Sequence, residues 1–162
     1  MELPDGIVLS CRSYKLDQNE INFFKQVRPL GFVLFSRNFR NKSQITGLID
    51  HLKSVSMNSK TVVFIDQEGG RVQRLSNKEF TKFPPQKTFG EIYKKNKKLG
   101  LDLAYKSSYL MGSELKEIGI DVDFSPVCDL LIDNAHKIIG DRSFGSNPKL
   151  VYELTKVFCK GL

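Results

Sequence analysis

The sequence predicts an α/β fold, a parallel sheet whose strands are joined by helices in right-handed crossovers. Three observations carry this. Short apolar runs, GIVLS, GFVLF and TVVFI, alternate along the chain with longer amphipathic stretches. TVVFI shows no period-two alternation, as expected of a parallel strand covered on both faces. Polar residues gather just after each run, at 10–12, 36–38, 66–74 and 125–129. That edge of a parallel sheet is where ligands bind.

Taken in order, 6–10 reads as a buried strand and 17–27 as a helix with Ile21, Phe24 and Val27 turned inward. Pro29 ends that helix, because proline lacks the N–H needed to continue it. The run 31–35 is a second strand, rich in β-branched and aromatic residues. A polar loop, SRNFRN, leads to a helix with Ser43 as its N-cap and Ile45, Leu48, Ile49 and Leu52 at three- and four-residue spacing. TVVFI at 61–65 is the third strand. Beyond Pro84 and Pro85, one long helical region spans about 88–118, interrupted near Gly100. Its inward stripe is Phe89, Ile92, Leu99, Leu103, Tyr109, Leu110, Leu115 and Ile118, and Gly119 stops it. The run 120–127 is a fourth strand, followed by a long loop. A last helix starts near Pro148, where proline suits the first turn.

Composition narrows the class. At 162 residues, with 40% apolar and 27% charged side chains, the chain suits one globular domain with a real core. The net charge of +7 comes mainly from lysine runs such as YKKNKKLG, which read as solvated helix faces. No aromatic-interleaved basic motif of the RNA-binding kind accompanies them. The three cysteines, Cys11, Cys128 and Cys159, form no CxxC and suggest neither a zinc site nor a disulfide framework. The first residues contain no basic leader and no signal-length apolar stretch, and nothing approaches the roughly 20 apolar residues of a membrane span. A reducing cytoplasm is the expected location.

Three clusters carry candidate chemistry. In DQEGGRVQR, Asp66 sits at the mouth of the third strand, where a carboxylate can accept hydrogen bonds from a ligand. Gly69 and Gly70 allow a sharp turn and close approach of a ligand. Arg71 and Arg74 would share a face if helical, one pairing with Glu68 while the other reaches the site. In IIGDRSFGSNP, Gly140 and Gly145 flank Asp141, Arg142 and Ser143. Arg142 there is suited to holding a carboxylate or phosphate through its planar fork. In DVDFSPVCDL, Asp123 is expected to hold a neighbouring loop through backbone N–H groups. No paired-carboxylate geometry with Asp129 can be read from spacing. His51 lies inside a helix, and His136 has no HxxH or Cys partner, so no metal or other cofactor is expected.

No GxGxxG or GxxxxGK[ST] follows any strand, so an open sheet would lack its usual phosphate cradle. A barrel needs about 250 residues. The residues alone therefore leave two architectures, a compact open sheet and the front half of a barrel.

GFVLFSRNFRN, IDQEGGRVQRL, DVDFSPVCDL and IIGDRSFGSNP, in that order, resemble glycoside hydrolase family 3, in particular its bacterial β-N-acetylhexosaminidase branch. The resemblance spans essentially the whole chain, and DxEGGRVxR together with GxRSFGxxP is highly specific. It implies a (β/α)8 TIM barrel, of which residues 1–162 are the N-terminal part of a single catalytic domain, four to five βα units. It implies a complete enzyme that removes terminal N-acetylglucosamine from peptidoglycan-derived muropeptides with retention of configuration, in cell-wall recycling. By its motifs Asp66 grips sugar hydroxyls, and Arg74 and Arg142 bind substrate. Glu68, Gly69, Gly70, Arg71 and Asp123 support them. The family's Lys-His pair, its acid/base His beside an Asp, and its nucleophilic Asp are expected beyond Leu162. The 162 residues alone are then expected to be inactive and marginally stable, with open strand edges available for self-association and no nucleic-acid or membrane partner. The rival readings are a non-catalytic α/β module binding a sugar or anion, and a basic nucleic-acid-binding domain with steep salt dependence.

Overall fold

The computed structural model describes residues 5–57, 60–133 and 136–162; the first four residues, part of the leader reading above, lie outside them. The chain folds as two compact units that alternate along the sequence. The first comprises Met1–Asp66, Arg74–Phe80 and Leu115–Val122, and the second Gln67–Gln73, Thr81–Glu114 and Asp123–Leu162.

The first unit holds β1 (Asp5–Leu9), α1 (Gln18–Val27), β2 (Pro29–Leu34), α2 (Lys42–Val55) and β3 (Val62–Ile65). The strands are parallel and stand in the order β1-β2-β3, with Gly31 opposite Val62 and Leu34 opposite Ile65. Asp17 and Glu20 form a reciprocal capping box on α1, each side chain accepting the other's backbone N–H. Arg28 closes the helix in the left-handed region, and Pro29 then opens β2 rather than merely following a loop. A proline is tolerated at the first position of a strand. Phe24, Phe32, Ile45, Ile49, Leu52, Val63 and Ile65 form the buried core. Phe24 meets Phe32 edge-on at 4.9 Å. On β1, Ile7 and Val8 are 42% and 41% exposed. Neighbouring strand residues point to opposite faces, so both faces of this edge strand are uncovered.

Two expectations need correction here. The N-cap of α2 is Asn41, not Ser43: its side chain accepts the N–H of Gln44 at 2.9 Å, which starts the helix before Ser43. The fourth strand, β6 (Val122–Asp123), is far shorter than 120–127. Aspartate side chains compete with the ladder there, Asp121 Oδ2 accepting the N–H of Val63 at 2.8 Å. Pro126 then offers no N–H at all. β6 closes the sheet order at β1-β2-β3-β6.

The second unit holds a hairpin of β4 (Gln67–Gly69) and β5 (Val72–Gln73), then α3 (Gln86–Lys95) and α5 (Pro148–Gly161), with α4 (Lys97–Glu117) contributing as far as Glu114. The helical region breaks at Asn96, not at Gly100. The Asn96 N–H ends α3 on the Ile92 carbonyl, and its side chain accepts the Leu99 N–H at 3.1 Å and so caps α4. Asparagine offers the backbone this alternative to a continuous helix. Gly100 sits inside α4, where a β-carbon would overlap the backbone of Tyr93.

The inward stripe also differs: Leu99, Tyr109 and Leu110 are exposed, while Ala104, Ser108 and Met111 are buried. A small side chain suits position 108 because α5 lies close there: a β-carbon on Gly161 would overlap Ser108 Oγ and the Tyr105 carbonyl. Glu153 on α5 accepts from Tyr93 Oη at 2.9 Å and pairs with Lys97 at 2.6 Å. Those hydrogen bonds, Lys97 first, hold its carboxyl below the usual range.

Gly90 on α3 makes the closest approach of all, since a β-carbon there would overlap the carbonyl oxygen of Phe144. Backbone cannot swing away as a side-chain tip can. Gly90→Ala should therefore destabilise by about 3 kcal/mol, the upper end for overpacking. Urea unfolding followed by circular dichroism checks this, and an unchanged midpoint would contradict it.

Candidate functional site

The strands of the first unit are parallel, so the segments after β1, β2 and β3 leave the sheet at one edge. There the loops are stitched by polar side chains. Arg37 donates through Nη2 to Ser10 Oγ at 2.7 Å and through Nε to the Cys11 carbonyl at 3.2 Å. Asn38, fully buried, donates to the carbonyls of Cys11 and Ser13 at 3.0 and 2.8 Å and accepts the Phe35 N–H at 2.9 Å. Both lie in the SRNFRN loop, whose roles spacing alone did not assign. The only signal was their place just after a strand.

Asp66 follows β3 directly. Its Oδ2 accepts from Arg74 Nη2 at 2.7 Å, with the two side chains 25% and 30% exposed. Its Oδ1 accepts from none of the described residues. The Arg74 Nε is buried and has no hydrogen-bond partner among the described residues. The guanidinium of Arg74 lies 5.9 Å from the Phe35 ring centroid, and that of Arg37 lies 4.4 Å from the same ring. The corner thus presents a half-exposed carboxylate, two cations and an aromatic face. Hydroxyl-rich and carbonyl-bearing ligands suit such a set, because it offers charged acceptors and charged donors together.

In the second unit, Glu68 is 3% exposed and receives Arg142 through two hydrogen bonds, Nε to Oε2 at 2.8 Å and Nη2 to Oε1 at 2.7 Å. This corrects the expectation that Glu68 pairs with Arg71 or Arg74. The segment after Gly70 is the short strand β5 and not a helix, so the two arginines do not share a helical face. Arg71 instead pairs with Asp141 at 2.8 Å and donates to the carbonyls of Ile138 and Ile139. Asp123 Oδ1 accepts the Gln67 N–H at 2.8 Å.

Gly69 and Gly70 have φ of 89° and 59°, the left-handed region that glycine enters freely. The close approach they permit in the structure is to the chain at Pro84 and Pro85, where β-carbons would crowd in. Gln73, on β5, also emerges as a tether that spacing had not singled out: it donates to the Thr81 carbonyl and accepts the Phe83 N–H.

His51 and His136 are exposed, and no group of three His, Cys, Asp or Glu able to hold a metal occurs among the described residues. No helix among them is long and apolar enough to cross a membrane.

The pattern of the Glycosyl hydrolase family 3 N terminal domain matches residues 6–162. The chain belongs to glycosyl hydrolase family 3. Among its family 3 relatives, the β-hexosaminidase of Bordetella avium is 32% identical over 161 residues, covering 99% of this chain and 45% of the relative. That of Nitrosomonas eutropha is 39% identical over 132 residues, covering 82% and 37%. NagZ from Neisseria gonorrhoeae, solved in complex with N-trifluoroacetyl-D-glucosamine, superposes with a TM-score of 0.92 at 31% identity over 99% of this chain and 48% of that one. A family 3 β-N-acetylglucosaminidase from Paenibacillus superposes at 0.85 with 27% identity, over 95% and 28%. The chain therefore spans about half, or less, of the length of the relatives it matches.

Proposed function

We propose that residues 1–162 form the first half of a (β/α)8 barrel and supply sugar-holding residues of a β-N-acetylhexosaminidase. The complete enzyme releases terminal N-acetylglucosamine from peptidoglycan-derived muropeptides, with retention of configuration, in the cytoplasm. The observation that carries this reading is Asp66, placed directly after β3 with one carboxylate oxygen on Arg74 and the other without a donor among the described residues. A sugar's adjacent hydroxyls donate naturally to such an oxygen. The uncovered faces of β1 support the barrel half of the reading, since a parallel strand is stable when both its faces are packed. In this reading Arg142, held by Glu68, contributes to substrate binding, while Arg71 and Asp123 fix the segments that carry the site.

A retaining glycosidase needs one group to attack the anomeric carbon and another to protonate the leaving oxygen. We assign both to the part of the enzyme that follows residue 162. Residues 1–162 by themselves should then bind N-acetylglucosamine weakly and leave a chromogenic N-acetylglucosaminide uncut. Nuclear magnetic resonance titration of the labelled protein should shift signals of Asp66, Arg74 and Arg142 with N-acetylglucosamine, and not with an uncharged polyol at equal concentration. Identical responses to both compounds would sink the sugar assignment. Turnover above that of an Asp66→Asn control would sink the assignment of catalysis to the later residues.

A further inference from the structure

The remaining chemistry in the second unit lies in its two exposed cysteines. Cys128, in the segment after β6, places its sulfur 3.6 Å from Thr155 Oγ1 on α5. Cys159 stands four positions beyond Thr155 on the same helix, and residues four apart on a helix lie one above the other about 6 Å along the axis. Both thiols are free and exposed, whereas Cys11 is buried. Cys159 also senses its neighbour: burial, and then the negative charge of an ionised Cys128, push its thiol above the usual range.

We propose that Cys128 and Cys159 are a redox-responsive pair that closes into an intramolecular disulfide when a low-molecular-weight disulfide such as oxidised glutathione is present. In the first step the Cys128 thiolate attacks a glutathione sulfur, forming a mixed disulfide and releasing one glutathione thiolate. The Cys159 thiolate then attacks the Cys128 sulfur and releases the second. Two protein thiols lose two protons and two electrons, and one glutathione disulfide becomes two glutathione thiols.

A disulfide requires Cα atoms within about 4.4–6.8 Å, so the segment at Cys128 must shift from Thr155 towards Cys159, by about one helical turn. That segment also bears on the Arg142 turn. Ser143 Oγ donates to the Asp129 carbonyl at 2.6 Å, and the Leu131 N–H donates to the Gly145 carbonyl at 3.0 Å. Oxidation would thus fasten the neighbours of Arg142 to the last turns of α5.

The test is to incubate the purified protein with oxidised glutathione and examine it by intact mass, thiol titration and peptide mapping. The expected product is a monomer lighter by two hydrogen atoms, with its accessible thiols titrating to zero and the peptides of Cys128 and Cys159 joined. Cys128→Ser and Cys159→Ser should each abolish that product, while Cys11→Ser should leave it unchanged. Far-UV circular dichroism confirms that each variant is folded. Persistent glutathione on both cysteines, a disulfide-linked dimer, a crosslink through Cys11 or no reaction at all would overturn the proposal.

Discussion

Replacing Arg142 by alanine should destabilise the protein by about 3–5 kcal/mol, the range for removing one partner of a buried ion pair. The reason lies with Glu68 more than with the arginine. Glu68 is 3% exposed, and both of its carboxylate oxygens are occupied by Arg142. Truncating the arginine leaves that negative charge out of reach of water and without a donor. The double variant Glu68→Gln/Arg142→Met should recover a substantial part of the loss, because it removes the stranded charge together with its partner. Urea unfolding of the parent, Glu68→Gln, Arg142→Met and the double variant measures the coupling directly. Additive losses would show that the two side chains do not depend on each other.

Asp66→Asn should behave in the opposite way. Asp66 and Arg74 are each about a quarter exposed or more, and ion pairs so open to solvent contribute about 1 kcal/mol or less. Folding stability should therefore barely change. Binding of N-acetylglucosamine should weaken by about ten- to a hundredfold, since hydrogen bonds to a charged group are worth roughly 1.5–3 kcal/mol. An amide also presents a donor where the carboxylate offers only acceptors. Calorimetric or resonance titration beside thermal unfolding separates the two effects. Large destabilisation with unaltered sugar affinity would make Asp66 a structural residue.

These two side chains differ in a way that sequence spacing does not reveal. Asp66 and Arg74 are eight positions apart within one recognisable motif, and the ending of an apolar run placed the carboxylate at the strand mouth. Glu68 and Arg142 are 74 positions apart. Nothing local to DQEGG indicates which of three nearby or distant arginines will reach its glutamate. That choice followed from β5 being extended rather than helical, which directs Arg71 to Asp141 and leaves Glu68 to Arg142.

The same division runs through the fold. The order of strands and helices was legible because apolar period and length distinguish a buried parallel strand from an amphipathic helix. The break at Asn96 was missed because glycine is the more obvious helix breaker, while Asn96 acts as C-cap and N-cap at once. The buried stripe of Ala104, Ser108 and Met111 was missed because alanine and serine carry little hydrophobic signal of their own, and Ser108 is buried where Gly161 approaches it closely.

By itself, then, the sequence determined the α/β order, the edge at which the polar motifs gather, and membership of glycosyl hydrolase family 3. Each of these depends on local periodicity or on residues close together in the chain. The tertiary structure decided which charges pair, where the helices break and which helix faces touch. The pairing of Glu68 with Arg142 and the touching of helix faces depend on residues tens of positions apart, and local sequence does not encode who will be the neighbour. The break at Asn96 rests on contacts three and four residues away, and there the structure decided between asparagine and glycine as the breaker.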